Sequence, residues 1–211
     1  PIYGLVVLGV VHPQRIKRNS TAHAGDVLVL GKALGVGILS AALKKNVLSD
    51  EGYRQMLAST TQLNAIGTRL AELPGVHAMT DVTGFGLLGH LAEICRGSAL
   101  GAHIAFESLP VIPAALPLAQ QGFSTGAATR NWDSYGNGVR LPPDLAPWQQ
   151  ALLCDPQTSG GLLVSCASEA VADVLTRFHQ EGFAAASVIG QMRAGETLIT
   201  VDRAAGIAVN A

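Results

Sequence analysis

The chain has 211 residues, with 14 Lys+Arg against 15 Asp+Glu, a net charge of -1, 48% hydrophobic residues and only 14% charged, where roughly 25% charged is usual. This apolar content excludes a disordered chain, and the lack of a basic excess excludes an ordinary nucleic-acid binder. The mean hydropathy of +0.33 raises a membrane, but the charge-free run Ile2 to Val11 is about half the roughly 20 residues a span needs, and Val27 to Leu43 is broken by Lys32 and glycines; no membrane helix is expected.

The three cysteines, Cys95, Cys154 and Cys166, are odd in number and form no CxxC pair. They read as free thiols in a reducing, cytoplasmic setting. The first ten residues carry no positive charge and no small-residue cleavage site follows, unlike a signal peptide. The chain opens on Pro1 and runs straight into apolar residues, which suggests a fragment or a processed form.

Tyr3 to Val11 reads as a buried strand. The polar stretch Gln14 to Gly25 is the expected boundary or linker. Val27 to Leu30 is a strand after the Gly25-Asp26 turn, and Ile38 to Lys45 a short helix with lysines in its last turn. Ser49 is a fair N-cap for a longer helix carrying Met56, Leu63, Ile66 and Leu70, ended by Pro74-Gly75. His77 to Val82 is extended. Phe85 to Cys95 is a helix with Gly97 as its C-cap, Ala102 to Phe106 a strand, and Pro113 to Gln121 a helix stopping at Gly122. Ser124 to Trp148, rich in Gly, Asn, Asp and Pro, reads as a long irregular loop. Leu162 to Cys166 is a strand. Ser168 opens a helix with Val171, Val174, Leu175 and Phe178 on one face, ended by Gly182. Ser187 to Met192 and Thr197 to Val201 form a hairpin around Ala194-Gly195. The expected class is α+β, a mixed β-sheet packed with helices.

Three segments match chemical patterns. Gly84-Phe-Gly86-Leu-Leu-Gly89 is a formal GxGxxG before a helix, with Glu107 about 20 residues on, yet the preceding strand is short and polar at Thr80 and Asp81. A dinucleotide turn is therefore poorly supported. Glycines still allow close backbone approach, and a helix N-terminus favours an anion. Asp81 beside such a turn suits a divalent cation bridging to phosphate; alternatively, the Asp81-Val-Thr83 stretch caps the helix. Gly122-Phe-Ser124-Thr-Gly126 is a formal GxSxG followed by Asp155 and His179, but Ser124 follows a helix where a nucleophile elbow needs a strand. Asp155-Pro-Gln-Thr158-Ser159-Gly160-Gly161 can aim backbone N–H groups at an anion or be a polar turn entering a strand. There is no GxxxxGK[ST], and the six histidines are scattered with no HxxxH, so a His-based metal site has little support. Arg130-Asn131 and Tyr135-Gly136 either bind an anion or order their loop.

Together, Thr80-Asp-Val-Thr-Gly-Phe-Gly-Leu-Leu-Gly-His90, Asp155-Pro-Gln-Thr-Ser-Gly-Gly161, Thr129-Arg-Asn131 and Ser134-Tyr-Gly136 resemble bacterial selenophosphate synthetase (selenide, water dikinase). Gly25 to Gly37 is similar to the segment opening the C-terminal domain across the aminoimidazole-ribonucleotide-synthetase-like superfamily. The resemblance implies an enzyme making selenophosphate, orthophosphate and AMP from ATP, selenide and water, with ATP held through Mg2+. It implies Asp81 as a metal ligand and Thr80, Thr83, Gly84, Thr158, Ser159, Gly160 and Gly161 as phosphate-binding positions. The family's reactive Cys or selenocysteine, its lysine and further aspartates lie in an N-terminal half not found in this sequence. Cys95, Cys154 and Cys166 do not match that reactive position, so no catalytic residue is assigned here. By the same resemblance residues 1–24 are the last strand and connector of the N-terminal domain, and 25–211 are the C-terminal domain. The isolated chain is expected to be inactive and to dimerise through residues 2–11, whose unpaired edges invite another chain. The other readings are a related ATP-dependent enzyme of the hydrogenase-maturation dehydratase or thiamine-phosphate kinase type, or a non-catalytic dimerisation or binding module.

Overall fold

A computed structural model describes residues 4, 6 and 8–204, and no helix among them is long and apolar enough to cross a membrane. In chain order the elements are β1 (Val27–Leu30), α1 (Val36–Lys44), α2 (Asp50–Thr61), α3 (Ile66–Leu70), β2 (Val76–Asp81), α4 (Gly86–Ser98), β3 (Gly101–Ala105), α5 (Ala115–Gln120), α6 (Gly126–Tyr135), β4 (Val139–Arg140), α7 (Pro147–Leu153), β5 (Leu162–Cys166), α8 (Val171–Gln180), β6 (Ser187–Arg193) and β7 (Ile199–Asp202). The strands form one seven-stranded sheet in the order β2-β5-β1-β6-β3-β7-β4. All pairings are antiparallel except β3 with β7 and β7 with β4. This is the expected mixed α+β architecture.

Both faces of the sheet are covered, which explains why β1 and β5 are apolar at nearly every position rather than alternating. Leu28 and Leu30 point into a large core with Ile38 and Leu39 of α1, Leu88 and Leu91 of α4, and Leu152 of α7. Val27 and Val29 point the other way, into a smaller core with Ile66 and Leu70 of α3 and Val174 and Phe178 of α8. The helical spacing of Val171, Val174 and Phe178 thus marks the face that α8 buries.

The expected strand over residues 3–11 falls partly outside the described residues. Gly4, Val6 and residues 8–11 carry no strand, and Val6, Leu8 and Val10 are 85%, 91% and 105% exposed. Backbone groups adopt a strand where a partner edge satisfies them, and no strand of this sheet pairs with the described residues there. The connector that follows is fastened along the outer edge of β2. Lys17 Nζ donates to the carbonyls of Leu73 (3.2 Å) and Val76 (2.7 Å), Met79 N donates to Arg18 O (3.2 Å), and Thr21 Oγ1 donates to His77 O (2.7 Å).

Tertiary contacts redirect the chain elsewhere too. The helix expected from Ser49 is two: Ser49 caps α2, accepting from Gly52 N, but the chain extends at Gln62 before α3. Lys32 Nζ takes the carbonyls of Ser59 and Gln62 (3.1 and 2.7 Å), and Asn64 Nδ2 donates to Gly160 O (2.8 Å), so the break is held from outside the helix. Gly97 lies inside α4 rather than capping it; a side chain there would strike Ser20 of the connector, and Ala99 takes the left-handed C-cap position at φ 53°. The region 124–148 is not an irregular loop. Thr125 accepts from Ala128 N and nucleates α6, and α7 starts at Pro147. Nor do β6 and β7 form a hairpin. β3 lies between them, paired antiparallel to β6 and parallel to β7. The connection between β6 and β7 passes so close over the start of β3 that a Cβ at Gly101 would strike Glu196 O.

Candidate functional site

β2 is an edge strand and ends at Asp81, paired with Leu162 of β5. Asp81 is exposed, and its carboxylate enters no ion pair among the described residues. Thr80 is half-buried, its hydroxyl 3.4 Å from Asp81 O. Beyond the buried Val82 the chain turns through Thr83, Gly84 and Phe85 into α4. No side chain caps α4, so Asp81 and Thr83 are not spent on the helix end. Space is open where a side chain on Gly84 would project, whereas Gly86, at φ 68°, lies against the backbone of Cys154. The strand preceding this GxGxxG runs antiparallel to its neighbour, which removes the parallel βαβ frame a dinucleotide site requires.

Thr83 is tied into a short chain of hydrogen bonds. Its Oγ1 lies 3.1 Å from His90 Nε2, and His90 Nδ1 lies 3.1 Å from Glu93 Oε2. His90 is buried, one turn into α4. With Glu93 accepting from Nδ1–H, the neutral imidazole offers Nε2 as an acceptor. The Thr83 hydroxyl proton then points inward and its lone pairs face the turn.

The segment 155–161 lies beside this turn. Val82 N donates to Gly161 O (2.9 Å), and Gln157 N donates to Thr83 O (3.0 Å). A Cβ on Gly160 would collide with Val82 O, and one on Gly161 with Lys32 N. These two glycines let three chain segments touch. Ser159 takes a left-handed conformation at φ 50°. Thr158 is exposed and makes no hydrogen bond among the described residues, so it is open to a ligand.

Asp155 points the other way. It is fully buried at the N-terminus of α1, where its Oδ2 accepts from Gly37 N (3.0 Å) and from Gln157 Nε2 (2.9 Å). Gln157 Oε1 accepts from Gly35 N and Val36 N (3.3 and 3.2 Å). Burial pushes the Asp155 carboxyl up to about 7, against the hydrogen bonds from Gln157 and the helix amides that favour its charged form. A side chain at Gly37 would collide with Asp155 Oδ1. The acid of the Asp-Pro-Gln motif therefore seats α1 under the loop rather than meeting solvent.

Asn131 links the two motifs. Buried on α6, it donates through Nδ2 to Gly84 O (2.9 Å) and Cys154 O (3.0 Å). Tyr135 Oη donates to Phe85 O (2.6 Å). Asn131 and Tyr135 thus order the glycine turn, while Arg130 is exposed. Lys32 is 4% exposed and completes the junction, giving Nζ to Ser159 O at 2.6 Å as well as to the carbonyls of Ser59 and Gln62. Burial lowers its pKa. Sequence reasoning does not single out Lys32 or the role of Gln157; each sits in a glycine-rich segment, and that is the only local signal. Ser124 is exposed between α5 and α6, remote from any strand–helix elbow.

Four segments distant in sequence, 31–37, 80–86, 131–135 and 154–161, thus meet at the ends of β1, β2 and β5. This junction belongs to a two-sided mixed-sheet domain, and the family model "AIR synthase related protein, C-terminal domain" matches residues 23–202; the chain belongs to that family. It is 60% identical over 201 residues, 95% of its length, to a selenide, water dikinase of Burkholderia orbicola, and covers 57% of that protein. It is 59% identical to the selenide, water dikinase of Pseudomonas straminea, again over 95% of this chain and 56% of that one. The chain therefore spans little more than half the length of these relatives. In fold it is similar to the E. coli hydrogenase maturation protein HypE, with a TM-score of 0.67 at 21% identity over 90% of this chain and 50% of that one. It is also similar to thiamine-monophosphate kinase from Stenotrophomonas maltophilia, with a TM-score of 0.63 at 20% identity over 92% and 56%.

Proposed function

We propose that this chain is the C-terminal part of a selenophosphate synthetase, which converts ATP, selenide and water to selenophosphate, AMP and orthophosphate. The observation carrying this reading is the 60% identity to selenide, water dikinases over 95% of the chain. In this reading residues 1–24 are the last strand and connector of an N-terminal ATP-binding domain, and residues 25–211 form the C-terminal domain. The family match beginning at residue 23 supports that boundary, as does the exposure of Val6, Leu8 and Val10.

The exposed junction is the phosphate-facing half of the active site. Gly84, Thr158 and Ser159 offer backbone to phosphate oxygens, and Thr80 and Thr83 offer hydroxyls, while the buried Gly160 and Gly161 let the loop pack close enough to place them. The donor chemistry at Asp81 fits Mg2+, a hard cation that takes oxygen ligands and keeps several from water and phosphate. When bound, Mg2+ neutralises charge on the transferring phosphoryl group, the main electrostatic requirement of such reactions. Asp81 supplies one carboxylate, and further acids must come from the N-terminal part. His90, fixed by Glu93, turns the Thr83 hydroxyl proton away from the turn. Asn131 and Tyr135 hold the Gly84 and Phe85 carbonyls away from the ligand side, so their repulsion does not oppose an anion.

The chain alone is expected to be inactive. Release of AMP from ATP and selenide is to be measured for this chain, for the N-terminal part, and for their mixture. Activity only in the mixture supports the reading; turnover by this chain alone refutes it. We further propose a cytoplasmic homodimer joined through residues 2–11, which a monomeric mass in sedimentation equilibrium refutes.

A further inference from the structure

Away from the phosphate-facing junction, at the opposite end of β2, lies a second group of chemically capable side chains. Asp26 sits immediately before β1 and is 3% exposed. Its Oδ2 accepts from His23 N (2.9 Å) and Ser165 Oγ (2.7 Å), and its Oδ1 lies 2.8 Å from His77 Nδ1 on β2. The exposed His23 ring stacks on that of His77 with centroids 4.0 Å apart. Ligand atoms of His23, Asp26 and His77 all lie within 4.8 Å of one another.

A buried carboxylate needs a compensating positive charge. Among the described residues no lysine or arginine pairs with Asp26; its only ion-pair partner there is an imidazole. Two imidazoles and one carboxylate are the donors that a borderline cation such as Zn2+ takes, and such a site keeps an open position for water. Ligand atoms about 2.0 Å from a tetrahedral ion are about 3.3 Å apart. Asp26 Oδ1 and His77 Nδ1, now 2.8 Å apart, therefore separate by about 0.5 Å as the ion enters, and the exposed His23 side chain rotates in to complete the set. A His77 carrying its proton on Nε2 presents Nδ1 to the cation, and Ser165 and the His23 amide keep the carboxylate oriented from behind, as supporting hydrogen bonds do at metal centres.

We propose that His23, Asp26 and His77 form a binding site for one divalent transition-metal ion of the Zn2+ class. Its location assigns it a structural role. His23 and Asp26 belong to the stretch joining the connector to β1, and His77 to β2, so the ion clamps the connector to the sheet edge beside the bond from Thr21 Oγ1 to His77 O. The site uses none of the groups in the proposed function and stands or falls independently of it.

The test is titration of the 211-residue chain with Zn2+ by calorimetry and with Co2+ by visible absorption. One equivalent is expected, with a Co2+ spectrum of nitrogen and oxygen ligation and no thiolate charge-transfer band, because the nearest thiol, Cys166, is buried with its Sγ turned to Val27 O at 3.8 Å. Zn2+ should raise the melting temperature, since a ligand binding only the folded state stabilises it. The His23 ring is exposed and only stacks on His77, so His23→Ala should fold and melt as the metal-free wild type does, yet bind Zn2+ at least about tenfold more weakly. His77→Ala should behave likewise in binding. Failure of the wild-type chain to bind Zn2+ with a Kd of about 10 μM or tighter, or affinity unchanged in His23→Ala, overturns the proposal.

Discussion

Replacing Asp155 by asparagine tests whether the acid of the Asp-Pro-Gln motif is a structural group. Asp155 is fully buried, and burial places its carboxyl at about 7 in the folded chain, against about 3.9 in an unfolded one. The folded state thus holds a proton that the unfolded state gives up between about pH 4 and 7. The sign follows: wild-type stability is favoured at acid pH, falls as pH rises through this window, and levels off above about 7. With these two values, the linkage relation gives a loss of roughly 2.5 kcal/mol between pH 5 and 7.5 from this one group. The carboxamide of the variant can still accept from Gly37 N and Gln157 Nε2 through its oxygen, and it does not titrate. Urea unfolding of wild type and Asp155→Asn at a series of pH values should therefore give curves that diverge by about that amount, the variant gaining relative to wild type as pH rises. Parallel pH dependence for the two proteins would refute the assignment of Asp155 as a buried, late-ionising helix anchor.

Asn131→Ala leaves the carbonyls of Gly84 and Cys154 without their donor and should cost about 2–3 kcal/mol in denaturant unfolding, with the glycine-turn amides losing hydrogen-exchange protection. Gly160→Ala drives a Cβ into Val82 O and should cost more, on the order of 3 kcal/mol or above, or prevent folding, because the carbonyl it strikes is backbone and cannot swing aside. Asp81→Asn is the contrasting case: the side chain is exposed, so stability should change by less than about 0.5 kcal/mol, while AMP release by the two-part mixture should fall by orders of magnitude. A large stability loss in that variant, or unimpaired turnover, contradicts the metal-ligand role. His90→Ala should leave stability lowered by about 1–3 kcal/mol through the broken Thr83 and Glu93 bonds, and NMR of wild-type His90 should show the Nδ1–H tautomer.

Most of the elements were legible because their local signals agree with their tertiary surroundings. Val27–Leu30 is a continuous apolar run, and Leu162–Cys166 is one but for Ser165, because both faces of the sheet are covered. The face of α8 and the left-handed stops at Gly122 and Gly182 also follow from local pattern. The motifs at 80–90 and 155–161 were visible as glycine-rich turns flanked by acids and hydroxyls. What only tertiary structure decided lies where distant groups override local preference. Lys32 and Asn64 hold open the break between α2 and α3, and β3 separates two strands whose linking turn reads as a hairpin. Asp155 and Asp81 look alike in sequence, each an acid beside a glycine turn. One is buried on the amides of α1, the other ends an exposed edge strand. Burial is set by which elements pack on a residue, and that information is spread over the whole chain rather than held in the motif. The same holds for His23, Asp26 and His77, which scattered spacing does not connect and which the pairing of β1 and β2 with β5 brings together.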